Sequence, residues 1–102
     1  MHIIYLPKAA DFIASLDSPL GGRVRRMIKL LETSGNELRM PFSKPVGGGI
    51  FELRIVGAVH IRLLYFFHKG EAVVVHALSK KTGQLSRRDI EYALRLRKMF
   101  IV

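Results

Sequence analysis

The chain contains no cysteine and no tryptophan, and acidic residues are scarce in it. Without cysteine, neither a disulfide framework nor a thiolate metal centre is available. Long hydrophobic runs are missing too: the longest, Leu63 to Phe67, falls far short of the ~20 residues that a membrane-spanning helix needs. The apolar stretch from Met1 to Leu6 is too short for a signal peptide and has no cationic lead-in. These absences point to a cytoplasmic protein without a membrane partner.

The shortage of acid has a positive counterpart. Eight Asp and Glu stand against seventeen Lys and Arg, for a formal net charge of +9. Such a surface attracts polyanions, and nucleic acid is the commonest of these in a cytosol; an anionic membrane surface is the competing reading. The charge is uneven. Lys80, Lys81, Arg87, Arg88, Arg95, Arg97 and Lys98 are offset in their stretch only by Asp89 and Glu91, which implies a basic face. With 102 residues, 49% of them hydrophobic, residues 1–102 read as one domain with one core.

His2 to Leu6 reads as a short strand closed by Pro7. Ala9, Phe12, Ile13 and Leu16 follow at the spacing of a helix with one apolar face. Asp17-Ser18-Pro19 interrupts it, and Leu20, Val24, Met27, Ile28 and Leu31 form the stripe of a second helix that ends at Ser34-Gly35-Asn36. Leu38 to Gly49, rich in Pro and Gly, reads as a connecting loop. Three alternating segments then predict strands, around Phe51–Ile55, His60–Phe67 and Val73–Lys80. Ser86, with Asp89 three residues later, opens a last helix that runs to about Phe100. The order is β-α-α-β-β-β-α: an α+β fold with a mainly antiparallel sheet and helices packed on one face.

The strand register follows from the pleat. The apolar sets share a face only if each hairpin loop has an odd number of residues, which selects Gly57–Val59 and Lys69–Glu71. Ile55 then pairs with Ile61, and Phe67 with Val73. Glu52, Arg54, His60, Arg62, His76 and Lys80 fall on the opposite face, where Arg54 lies across from Arg62. Two facing cations are destabilising unless an anion sits between them, which is the first sign of a phosphate site.

The string Gly49-Ile50-Phe51-Glu52-Leu53-Arg54, then Ile61-Arg62-Leu63-Leu64-Tyr65, then His76-Ala77-Leu78-Ser79-Lys80-Lys81-Thr82, resembles the phage-derived, HigB-like branch of the RelE/ParE toxin superfamily. The Pro41 loop before the triple glycine and the helix after Lys80-Lys81 match it as well, so the likeness covers nearly the whole chain. The resemblance implies a RelE-like fold and the toxin of a type II toxin–antitoxin system, neutralised by an antitoxin that is often a helix-turn-helix protein. The implied target is messenger RNA in the ribosomal A site, cut without metal or other cofactor. ParE-like members of the superfamily instead poison DNA gyrase and cut nothing, and a basic nucleic-acid-binding module without catalysis is a third reading.

Metal-free RNA cleavage uses the neighbouring 2′-hydroxyl as nucleophile, so the protein must align it, neutralise the charge on phosphorus and protonate the leaving oxygen. Arg54 and Arg62 are the candidates for the charge, because a guanidinium fork holds two phosphate oxygens; they occupy motif positions where the family places phosphate-contacting bases. The competing reading is a cross-strand ion pair of Arg62 with Glu52. Lys80 and Lys81 follow the third strand, where an ammonium would meet a phosphate or the leaving oxygen; a solvated basic turn is the alternative. His76 and His60 fall on the same face, and His76 is either an acid–base group or a strand histidine held by a neighbour. The general base stays unassigned. Arg39, Lys44, His60, Arg87, Arg88 and Arg95 are candidate RNA contacts, and Phe66 would offer a stacking surface on the open sheet. The apolar tail Met99-Phe100-Ile101-Val102 is expected to pack back on the sheet or to dock the antitoxin.

Overall fold

The computed structural model describes residues 1–81 and 83–102; Thr82, the last residue of the third motif string, lies outside them. Strand β1 (His2–Tyr5) leads into helix α1 (Pro7–Ala14), whose first position is the proline, where its missing N–H costs no helix bond. Asp17 accepts a hydrogen bond from the Leu20 amide and caps α2 (Ser18–Ser34), which buries Val24, Ile28 and Leu31. A single 3-10 turn, Gly35–Glu37, ends this helix.

The rest of the sheet is β2 (Ser43–Gly47), β3 (Ile50–Ile55), β4 (His60–His68) and β5 (Glu71–Lys80), followed by α3 (Arg87–Phe100). The strand order is β1-β5-β4-β3-β2; β1 runs parallel to β5 and every other pair is antiparallel. The α+β class with a mainly antiparallel sheet is the expected one.

One strand corrects the expected element order. The segment read as loop contains β2, which pairs with β3 through Ser43↔Leu53, Lys44↔Glu52 and Pro45↔Phe51. Its Ser-Lys-Pro-Val-Gly sequence has no period-two alternation, and proline argues against a central strand. At the sheet edge proline is tolerated, because its nitrogen can face away from the ladder. The glycines after it make the turn: Gly47, Gly48 and Gly49 all have positive φ.

The β3–β4 register is the expected one, with Ile55 opposite Ile61 and Arg54 opposite Arg62. In the next hairpin His68 pairs with Glu71 and Phe67 with Ala72, so the turn is Lys69-Gly70, and both residues have positive φ. This two-residue turn replaces the expected three-residue one and displaces the Phe67–Val73 pair. A bulge between Leu64 and Tyr65 then restores the offset, so Arg62 still faces Leu78.

Helices α1 and α2 pack on the face that carries Ile3, Leu53, Ile61, Leu63, Tyr65 and Val74. Residues of the other parity, Leu64, Phe66, Val73 and Val75, pack with Ile50 and with Ala93 and Leu94 of α3. Because α3 covers only this part of the second face, the remainder, toward Arg54 and Lys80, is left without a helix. The tail divides: the Phe100 ring packs on Phe66 and His68, while Met99, Ile101 and Val102 are exposed.

Candidate functional site

Strand pairing lays the polar residues of the second face out in rows. Lys44, Glu52, Leu64 and His76 form one row across β2 to β5; Arg54, Arg62 and Leu78 form the next; His60 faces Lys80 beyond it. The face therefore gathers Glu52, Arg54, His60, Arg62, His76 and Lys80 as the alternation requires, and the unforeseen β2 adds Lys44.

The anion between the two arginines belongs to the protein. Glu52 accepts from Arg54 Nη2 at 3.0 Å on one carboxylate oxygen and from Arg62 Nη1 at 3.2 Å on the other. Arg62 and Glu52 are buried, and Arg62 Nη2 also donates to the Gly83 carbonyl. Arg62 is thus fixed beneath the surface, whereas the Arg54 side chain keeps 32% of its area in solvent. The cross-strand ion pair is the arrangement present, and it leaves Arg54 as the cation of this group that an outside anion can reach.

A second network joins β5 to α3. His76 Nε2 lies 3.1 Å from Asp89 Oδ1, and the Ser86 hydroxyl donates to Asp89 Oδ2 at 2.7 Å. Burial opposes ionisation of Asp89, but hydrogen bonds from Ser86 and the His76 ring, with that ring's charge, outweigh it and hold the carboxyl below its ordinary value. The Tyr92 ring stacks edge-on against His76 at 4.9 Å. Lys80 Nζ donates to the Gln84 carbonyl at 3.0 Å and stands 3.9 Å from Asp89 Oδ2. Sequence reasoning assigned Asp89 to the helix cap alone. It fills that role, since its amide donates to Ser86 Oγ, and it also holds His76. The only signal was the Ser86–Asp89 spacing, which is silent about a strand histidine.

Lys44, Glu52, Gln84, Leu85 and Ile90 line a cleft of about 210 Å³ between β2 and the start of α3. Lys81, Arg87 and Arg88 are exposed around the segment that leads into α3. Arg39 lies apart from the sheet face, its guanidinium bound to the Asn36 and Leu38 carbonyls. Arg95 lies over the Tyr92 ring at 5.7 Å. Phe66 is no stacking platform: it is buried under Phe100, with Arg97 5.6 Å above its ring. Among the described residues no three His, Cys, Asp or Glu side chains come together to hold a metal ion.

The fold is an α+β one whose mostly antiparallel sheet carries a buried carboxylate–guanidinium pair with cations beside it. The chain belongs to the family described as phage-derived Gp49-like proteins (DUF891), whose model matches residues 11–98, a toxin-like family of the RelE/HigB type. No curated protein matches the chain.

Proposed function

We propose that this protein is the toxin of a type II toxin–antitoxin pair and cuts messenger RNA on the ribosome through the RNA's own 2′-hydroxyl. The observation that carries this reading is the part of the second sheet face that no helix covers. There Lys44, Arg54 and Lys80, from three different strands, surround the buried Glu52–Arg62 pair. Membership of a toxin-like family supports it.

Arg54 meets the non-bridging oxygens of the scissile phosphate and offsets the charge that develops on phosphorus. Glu52 and Arg62 are positioning residues: they hold the Arg54 guanidinium over the face and leave it little freedom to lose on binding. Lys80, steadied by Gln84 and Asp89, and the exposed Lys81 supply cations toward the leaving 5′-oxygen. No side chain is assigned as the base. Both Glu52 oxygens carry guanidinium groups, and His76 Nε2 is engaged by Asp89. Alignment of the 2′-hydroxyl then falls to the ribosome; its proton passes to water as O2′ bonds phosphorus and the P–O5′ bond breaks, and the leaving oxygen takes a proton from Lys80 or Lys81. The antitoxin silences the protein by covering this face.

The test is primer extension on a reporter mRNA translated in a reconstituted cytoplasmic system. Wild type cuts only when ribosomes are present, and Arg54→Ala and Lys80→Ala cut much less while remaining folded. Arg62→Ala is unsuited to this test, since it strips a buried carboxylate of its partner. Intact mRNA at full dose overturns the reading, and broken DNA in a gyrase assay would replace it with a gyrase poison.

A further inference from the structure

Around the edge of the sheet from Arg54 lies a cleft of about 340 Å³ between α2, the segment before β2 and the end of β3. Phe42, Pro41, Met27 and Val56 supply its apolar lining, and Arg23, Arg26 and Arg54 its charge; no carboxylate lines it among the described residues. Phe42 is 43% exposed although its backbone is hydrogen-bonded on both sides. Its amide donates to Arg39 and its carbonyl accepts from the Arg54 amide at 2.9 Å. Arg23 is likewise held, its guanidinium donating to the Val56 carbonyl at 3.2 Å.

This cleft adjoins the sheet face. A small hollow of about 10 Å³ shares Lys44 and Glu52 as lining with the cleft beside α3, and Pro41, Phe42 and Arg54 with the cleft beside α2. Arg54 thus borders both the sheet face and the α2 cleft.

We propose that the α2 cleft is a nucleotide subsite for single-stranded RNA, in which one base stacks on Phe42 while Arg23 and Arg26 take the adjoining phosphate. The proposal rests on the RNA-directed reading of the sheet face and deepens it. The cleft is the size of one monomer, at the lower end of small-ligand sites. A docked amphipathic helix would need an apolar strip several turns long, and here the apolar lining is confined to one hole. A rigid aromatic ringed by arginines is what binds a base and its phosphate together.

The chain has no tryptophan, so Phe42→Trp places a single reporter in the cleft. Titration with a short single-stranded oligoadenylate quenches this tryptophan. Phe42→Ala weakens binding of the same RNA to the protein about tenfold, and Arg26→Ala lowers the salt slope by about one. Unchanged oligoadenylate affinity in Phe42→Ala overturns the subsite even if ribosomal mRNA is still cut. Quenching with uncut mRNA keeps the subsite and overturns only the nuclease. A tryptophan that responds to an acidic peptide and not to RNA overturns the subsite in favour of a protein partner.

Discussion

Arg54 stands directly opposite Arg62 in the β3–β4 ladder, and the repulsion of this pair is relieved by Glu52, with one guanidinium on each carboxylate oxygen. With Glu52 and Arg62 both buried, removing the charge of one leaves the other desolvated without compensation. Glu52→Gln is therefore expected to cost about 3 kcal/mol of stability, read from urea unfolding. Arg54→Ala, which leaves the buried pair intact, should cost no more than about 1 kcal/mol. Equal losses in the two variants would show that the buried pair is not the keystone of this face.

Phe66, expected as a stacking surface, is buried, whereas Phe42 is exposed. Phe66→Ala empties a site packed by Phe100, Leu64 and Val73 and should lose about 3–5 kcal/mol. Phe42→Ala, in a ring half open to water, should leave the melting temperature within a few degrees of wild type. Thermal unfolding followed by circular dichroism compares them, and a stable Phe66→Ala would contradict the packing described for α3.

What could be read from the residues was set by local periodicity. Alternation along β3, β4 and β5 gave the correct β3–β4 register and put Arg54, Arg62 and His76 on one face. It failed for β2, where an edge strand built on Pro45 makes no alternating pattern. It failed for Phe66, because nothing in the strand tells which half of a face a later helix will cover. A two-residue turn compensated by a bulge produces the same distal pairing as a three-residue turn, so Arg62↔Leu78 was predictable while Phe67↔Ala72 was not. Charge alone leaves a Glu52 bridge and a phosphate site as competing readings; the fold brings Arg54 to one Glu52 oxygen and Arg62 to the other.

Gly48 turns the chain from β2 into β3 with φ +61, and a Cβ there would meet Leu94 Cδ2 at 2.5 Å. Gly48→Ala combines a strained backbone with a clash against α3 and is expected to destabilise by about 1–3 kcal/mol. Gly70→Ala, in the β4–β5 turn, has a comparable φ of +79 and open space around it. Its cost should be the backbone part alone, about 1 kcal/mol. Equal urea midpoints for the two variants would remove Leu94 from the account.

Asp89 gives the fold a pH dependence whose direction can be stated. Its carboxyl is held below the ordinary value of 3.8 despite the opposing effect of burial, so the native state binds fewer protons than the unfolded chain between the two values. The stability from this group is complete above the ordinary value and is lost as pH falls through the folded one. Asp89→Asn keeps the side-chain shape but removes the charge near the α3 N-terminus and beside His76 and Lys80. Wild type should be more stable than Asp89→Asn at neutral pH, with the gap closing as urea melts are stepped down through the carboxylate range. A gap independent of pH would mean that shape and hydrogen bonding, not ionisation, join α3 to β5.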